Sequence, residues 1–193
     1  MKLYIIRHPV TESNIKRITQ GWADSPLIPE SMKLAEEHGK NLKNKQINKI
    51  YTSDLGRCVQ TSNIINELLK VEIIKTKELR EQNLGIYNGV HKDIIKKYFD
   101  EHDHQAKPPE GESFKEMKTR VLNFIKQLEQ ENKEETILIV THTGCLEGIM
   151  QEALKEPLNS KECKTKPENI YLFEIKEGMI KILKQESTKI ISS

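Results

Sequence analysis

An arginine and a histidine stand side by side at the end of the first apolar run of the sequence. The apolar segment 3–6 predicts a buried strand, and Arg7 and His8 follow it directly. In open α/β sheets, ligands bind at the carboxyl ends of the strands. Arginine offers a planar fork of donors that matches phosphate or carboxylate, and histidine can act as a nucleophile or a base near neutral pH. The pair is consistent with an anion site, but a solvated strand end explains the dipeptide equally well.

The same arrangement recurs at two later strand ends. The apolar segment 49–52 is followed by a helix start with Arg57 in its first turn, and the apolar run 136–141 is followed by His142. If the three strands are parallel neighbours, two arginines and two histidines face one crevice. The charge of a transferring phosphoryl group is spread over its oxygens, so such a set suits phosphate chemistry. Because a cation is unfavourable at a helix N-terminus, Arg57 also indicates an anion bound there.

Six short motifs in this order resemble the histidine phosphatase superfamily, which includes cofactor-dependent phosphoglycerate mutases and many small phosphatases. The similar segments run from residue 3 to residue 144 and are Arg7-His8 with Thr11 and Asn14, then 20–27, 52–61, 79–85, 109–113 and 140–142. The resemblance implies a phosphoglycerate mutase-like α/β fold and phosphoryl transfer; for this chain we expect no cofactor. Because several motifs occur in the order typical of the family, the resemblance is more specific than any one of them.

The resemblance also implies a role for each candidate residue. His8 would attack phosphorus, Arg7, Arg57 and His142 would hold the phosphoryl oxygens, and Glu81 would protonate the leaving alcohol and then activate water. Read alone, Glu81 is one of many surface carboxylates, and a core histidine is the alternative for His142. The expected further phosphate or substrate contacts are Asn14, Gln20, Gly21 and Thr143, with a purely turn-forming role as the alternative for Gly21.

Four positions depart from the family pattern. Pro9 stands where glycine is usual, and the other departures are Val10, Ser31 and Thr143. Proline has no N–H, so any phosphate contact from that backbone nitrogen is lost. The four phosphate-binding residues and the acid are retained, and we therefore expect an altered rate or substrate rather than an inactive protein.

Alternating strand and helix signals predict a three-layer α/β/α sandwich with a mostly parallel sheet and an antiparallel edge. Strands are predicted at 2–7, 49–52, 71–75, 136–141, 170–175 and 179–184, and helices at 32–42, 54–69, 92–99, 114–130 and 145–155. The last two strands form a hairpin through a turn that contains Gly178. We expect a single domain over residues 1–193, with a lid-like excursion at about 76–111.

Composition excludes several other classes of function. The 193 residues carry a net charge of +2 without an arginine-rich stripe, so nucleic acid is not an expected partner. No apolar run is long enough to span a membrane, and no signal peptide is recognisable. Three cysteines without paired spacing indicate reduced thiols and a cytoplasmic location. The remaining partner predictions are a small phosphorylated metabolite and a possible homodimer.

A metal site is the alternative for one further motif. His102 and His104 are flanked by acids and could ligate a transition metal, although such a run is more often a solvated turn. We therefore predict a metal-independent phosphomonoester hydrolase that acts through a phosphohistidine at His8. The alternatives are a phosphoglycerate mutase and a catalytically weak phosphate-binding module, which Pro9 keeps open. The family's classical mutases carry extra sequence in the lid region, and the short chain here favours hydrolysis.

Overall fold

The computed structural model describes residues 1–96, 105–157 and 160–189 and has a six-stranded sheet at its centre. The strands are β1 (Lys2–Arg7), β2 (Ile18–Thr19), β3 (Lys49–Ser53), β4 (Glu72–Thr76), β5 (Val90–His91), β6 (Thr136–Thr141), β7 (Asn169–Lys176) and β8 (Met179–Ser187). The helices are α1 (Glu12–Ile15), α2 (Pro29–Leu42), α3 (Gly56–Leu69), α4 (Lys92–Ile95), α5 (Phe114–Glu131) and α6 (Thr143–Leu154).

The order of strands in the main sheet is β4-β3-β6-β1-β7-β8. The first four strands are parallel, and β7 and β8 are antiparallel to their neighbours. The two-residue turn between β7 and β8 has positive φ at both Glu177 and Gly178, as a tight hairpin requires. The predicted mostly parallel sheet with an antiparallel edge is therefore confirmed.

Apolar side chains cover both faces of the sheet. Successive residues of β1 alternate between two buried clusters: Leu3 and Ile5 pack with residues of α5 and α6, whereas Tyr4 and Ile6 pack with residues of α2 and α3. Successive side chains of a strand point to opposite faces, so a continuous apolar run implies a strand that is covered on both sides. The sheet therefore lies between two layers of helices, α5 and α6 on one face and α2 and α3 on the other.

Several element boundaries differ from the prediction. Helix α3 begins at Gly56 rather than at residue 54, because the backbone of Leu55 is extended, with φ −69° and ψ 136°. The carboxylate of Asp54 is bound by Arg80 at 2.6 and 2.7 Å. Helix α4 ends at Ile95 rather than at residue 99, and residues 97–99 lie outside the described ranges. The sequence reading missed α1, β2 and β5, which are too short to show a periodic pattern.

The predicted lid-like excursion at 76–111 is described except for residues 97–104. Strand β5 of this segment pairs with β2, which lies in the loop after β1. Movement of the segment as a lid stays a prediction.

All three cysteines are buried and free. Over the described ranges, no helix combines the length and the apolar character needed to cross a membrane.

Candidate active site

Three neighbouring parallel strands bring the predicted arginines and histidines together. The order β3-β6-β1 places Arg57, His142 and the pair Arg7-His8 at one carboxyl edge of the sheet. The rings of His8 and His142 are 5.2 Å apart between centroids. The Nε of Arg57 lies 3.3 Å from Nε2 of His8 and 3.2 Å from Nδ1 of His142. Burial is nearly complete, because His8 is 4% exposed, Arg57 1% and His142 0%.

The surroundings fix which nitrogen of each histidine carries a proton. Nδ1 of His8 lies 2.7 Å from the carbonyl oxygen of Pro9, which can only accept, so Nδ1 is protonated and Nε2 holds the lone pair. Nδ1 of His142 accepts from the Nε–H of Arg57. Its Nε2 therefore carries the proton and donates to Oγ of Ser53 at 2.8 Å. The backbone carbonyl of Pro9 thus orients the imidazole of His8, and this contact does not require proline at the position.

Both imidazoles are held in the neutral form. Burial, reinforced by the positive charge of Arg57, holds the pKa of His8 and that of His142 well below the ordinary value for histidine. A neutral imidazole with a free lone pair is a nucleophile at neutral pH, whereas an imidazolium is not. The arrangement therefore provides a buried, oriented nitrogen nucleophile at Nε2 of His8.

A third buried histidine, His38 on α2, is also neutral. Its Nε2 donates to the carbonyl oxygen of Pro167 at 2.8 Å, and its Nδ1 lies 3.0 Å from Oγ1 of Thr188. Burial lowers the pKa of His38. These bonds join α2 to the segments on both sides of the β7–β8 hairpin.

The three neutral histidines predict a loss of stability in mild acid. Their folded-state pKa values lie below the unfolded value of about 6.5, so the unfolded chain binds more protons below that pH. We expect the free energy of unfolding to fall between pH 7 and pH 5, by up to about 1.4 kcal/mol per pH unit for each histidine. Urea titrations across this range measure the slope, and His38→Asn should reduce it. A stability that is constant from pH 7 to pH 5 would contradict this expectation.

The guanidinium of Arg57 is held in place by the loop after β2. Its Nη2 donates to the carbonyl oxygen of Gly21 at 2.8 Å, and its Nη1 donates to that of Ala23 at 3.0 Å. Gly21 has φ +50°, and a Cβ there would overlap the side chain of Asn88. Gly21 therefore forms a turn that needs glycine, as the alternative reading expected, and its carbonyl oxygen positions Arg57. A phosphate contact from Gly21 stays a prediction.

The anion expected at the N-terminus of α3 belongs to the protein itself. The carboxylate of Asp24 accepts the backbone N–H groups of Gly56 and Arg57 and lies 3.3 Å from Nη1 of Arg57. This corrects the sequence argument, because the cation at the helix start is balanced by Asp24 and does not by itself require a bound ligand.

Two polar groups of the predicted site residues lack a partner among the described residues. They are Nε of Arg7 and Oε1 of Gln20, both buried. Burial lowers the pKa of Arg7, an effect that the negative charge of Glu81 partly offsets. An unsatisfied buried polar group costs about 1–3 kcal/mol, so such groups are expected to meet a ligand or an ordered water. The orphaned donor of Arg7 fits a phosphoryl oxygen.

The carboxylate of Glu81 lies at the start of α6. One oxygen accepts the N–H of Gly144 at 3.1 Å, and the other accepts the N–H of Gln82 at 3.0 Å. A Cβ at position 144 would overlap this carboxylate, so the approach of Glu81 requires glycine there. Sequence reasoning missed this role of Gly144, although a glycine directly after His142 and Thr143 was the available signal.

The remaining predicted contacts are close in sequence to the site. Oδ1 of Asn14 accepts from the backbone N and from Oγ1 of Thr11, both at 3.0 Å, within the capping box of α1. Thr143 is the first residue of α6. Roles for Asn14 and Thr143 in binding phosphate stay predictions.

No cluster of three metal-ligating side chains occurs among the described residues, and His102 and His104 lie outside them.

Comparison with known proteins defines the class to which this fold and site belong. The sequence pattern of the histidine phosphatase superfamily (branch 1) matches residues 3–188. A broad-specificity phosphatase of Saccharomyces cerevisiae is 30% identical over 159 residues, which cover 78% of this chain and 69% of the yeast protein. A 2,3-bisphosphoglycerate-dependent phosphoglycerate mutase of Parvibaculum lavamentivorans is 31% identical over 164 residues, 78% of each chain.

Solved structures agree with these sequence matches. Bacillus stearothermophilus YhfR is 30% identical, superposes with a TM-score of 0.84, and the match covers 94% of both chains. The protein belongs to the histidine phosphatase superfamily, and its α/β architecture is phosphoglycerate mutase-like.

Proposed function

We propose that the protein is a metal-independent phosphomonoester hydrolase that acts on a small phosphorylated metabolite through a phosphohistidine at His8. The observation that carries the proposal is the buried Nε2 of His8, which holds a lone pair and lies 3.3 Å from Nε of Arg57. We expect no cofactor to enter this chemistry, because the side chains of Arg7 and Arg57 supply positive charge for the phosphoryl oxygens.

The reaction proceeds in two displacements. In the first, Nε2 of His8 bonds to phosphorus, the ester P–O bond breaks, and protonated Glu81 gives its proton to the leaving oxygen. In the second, the Glu81 carboxylate takes a proton from water as the water oxygen bonds to phosphorus and the N–P bond breaks. The hydrogen bonds from Nε of Arg57 to the two histidines are long, at 3.3 and 3.2 Å. Breaking them costs little, so the Nε–H of Arg57 can donate to a phosphoryl oxygen instead.

The mutase alternative requires a site for a second anionic group. Chain length does not separate the two activities, since the mutase-named relative is matched over 78% of each chain and is therefore similar in length. Charge does not separate them either. The other three arginines are paired with carboxylates, as Arg17–Asp93, Arg80–Asp54 and Arg120–Glu112. Arg57 is likewise paired with Asp24, and lysines can also bind phosphate. The assay of the two reactions below distinguishes them.

The binding-module alternative rests on Pro9. A lost backbone N–H would weaken the contact to phosphate. The carbonyl of Pro9 nevertheless sets the tautomer that leaves Nε2 of His8 nucleophilic. The proline therefore leaves the nucleophilic form of His8 in place, and release of phosphate in the assay below separates catalysis from binding alone. The cytoplasmic location and the homodimer stay predictions.

A panel of phosphomonoesters assayed in EDTA tests the proposal. We expect release of inorganic phosphate from several members of the panel, unchanged by the chelator, and inhibition by vanadate. Given 3-phosphoglycerate with a bisphosphoglycerate primer, the enzyme should release phosphate faster than it forms 2-phosphoglycerate. Faster isomerisation would support the mutase, and activity that requires a divalent ion would support a metal site that includes His102 and His104.

A further inference from the structure

The motif at 109–113 contains an acid that the catalytic account does not use. The carboxylate of Glu112 pairs with Arg120 through both oxygens, Oε1 at 2.6 Å from Nη2 and Oε2 at 3.3 Å from Nε. Both side chains are largely buried, with 17% and 18% exposure. A buried ion pair costs desolvation energy and is weak evidence for stability, so a role beyond stability is worth seeking.

Arg120 binds the backbone on which Glu81 is carried. Its Nη1 donates to the carbonyl oxygens of Glu78 at 2.7 Å and of Arg80 at 3.1 Å, and its Nη2 lies 3.4 Å from that of Glu81 itself. A guanidinium is a rigid planar group with several donors, so these bonds fix the position of the backbone of residues 78–81. All three nitrogens of Arg120 are engaged in bonds within the protein, which leaves no donor for a substrate.

Glu112 holds the other side of the same segment. Its carboxylate accepts the N–H of Asn83 at 2.9 Å, its N–H donates to the carbonyl of Asn83 at 2.9 Å, and its carbonyl accepts from Nε2 of Gln82. Glu81 is therefore held from the N-terminal side by Arg120 and from the C-terminal side by Glu112. The carboxylate of Glu81 in turn lies against Gly144 N.

We propose that the Arg120–Glu112 pair positions Glu81 for proton transfer, and that both residues are positioning residues without contact to the substrate. The inference rests on the proposed function, in which Glu81 is the acid and base. A catalytic group that is misplaced by about 1 Å can cost ~10²-fold in rate. Loss of the Arg120 guanidinium should therefore slow the reaction, although Arg120 does not contact the reacting groups.

The test compares esters with different leaving groups. We expect Arg120→Ala to lower kcat/KM, which reports the first displacement only, by ~10–10²-fold for an alkyl phosphate. The loss should be much smaller for p-nitrophenyl phosphate, whose leaving group departs without a proton. Arg120→Lys, which keeps the charge and loses the fork, should show the same pattern, as should Glu112→Gln. Lys118→Ala, on the same helix in an ion pair with Glu152, is the matched control and should leave both rates unchanged.

A double-mutant cycle separates positioning from general structural damage. In a Glu81→Gln background, Arg120→Ala should cause little further loss, because the acid it positions is already absent. Equal losses on both esters, or losses that multiply in the double variant, would overturn the inference even if Glu81→Gln alone behaves as an acid. If Glu81→Gln shows no dependence on the leaving group, the proposed acid fails and the inference fails with it. Thermal unfolding of each variant identifies any loss due to misfolding.

Discussion

Replacement of His8 by alanine is expected to eliminate turnover. Without Nε2 there is no nucleophile to take the phosphoryl group, and removal of a covalent nucleophile can cost on the order of 10⁶-fold in kcat. We do not expect His142 to substitute for it, since the Nε2 of His142 carries a proton and donates to Ser53. The measurement is kcat on the best substrate of the phosphomonoester panel.

His8→Asn serves as a second variant because His8 is 4% exposed and alanine leaves a cavity. Asparagine fills more of the space, carries a donor toward the carbonyl of Pro9 and supplies no nucleophile. Both variants should unfold cooperatively near the wild-type temperature and still bind vanadate through Arg7 and Arg57. Hydrolysis by either variant at close to the wild-type rate would remove His8 from the mechanism.

The second large effect is expected for Glu81→Gln, which keeps the size of the side chain but cannot carry the transferred proton. Loss of a general acid–base typically costs ~10²–10⁴-fold in rate. We expect a loss of kcat/KM, which reports the first displacement, in this range for an alkyl phosphate and a smaller one for p-nitrophenyl phosphate. The ratio of the two losses is the measured quantity.

Glu78→Gln is the matched control for that experiment. Glu78 lies three residues earlier in the same segment and is exposed, so its neutralisation should leave both rates unchanged. Equal losses of kcat/KM on both esters in Glu81→Gln would exclude proton transfer to the leaving group and assign Glu81 another role in the first displacement, in binding or in structure.

The sequence predicted the main sheet because its central strands are continuous apolar runs. Segments 3–6 and 137–140 are buried throughout in the structure, and such runs are typical of parallel strands covered on both faces. Once these strands are neighbours, the residues that follow them must share one edge. The meeting of Arg7, His8, Arg57 and His142 therefore followed from local patterns and one assumption about topology.

Contacts between distant segments could not be predicted in the same way. The bonds of Asp24 to the start of α3 join residues about 32 positions apart, and those of Glu81 to Gly144 join residues 63 apart. Nothing in the local pattern around Asp24 distinguishes it from a solvated turn residue. The short pairing of β2 with β5 depends likewise on the folded path of the chain.

Rapid quenching of the enzyme during turnover of a ³²P-labelled phosphomonoester tests the central claim most directly. The account predicts label that is stable in alkali, labile in acid and located by peptide mapping on His8, with none retained by His8→Ala. If wild-type enzyme turns over the substrate without any such label on His8 at the shortest quench times, and none accumulates in Glu81→Gln, in which transfer to water is slowed, the phosphohistidine mechanism is contradicted.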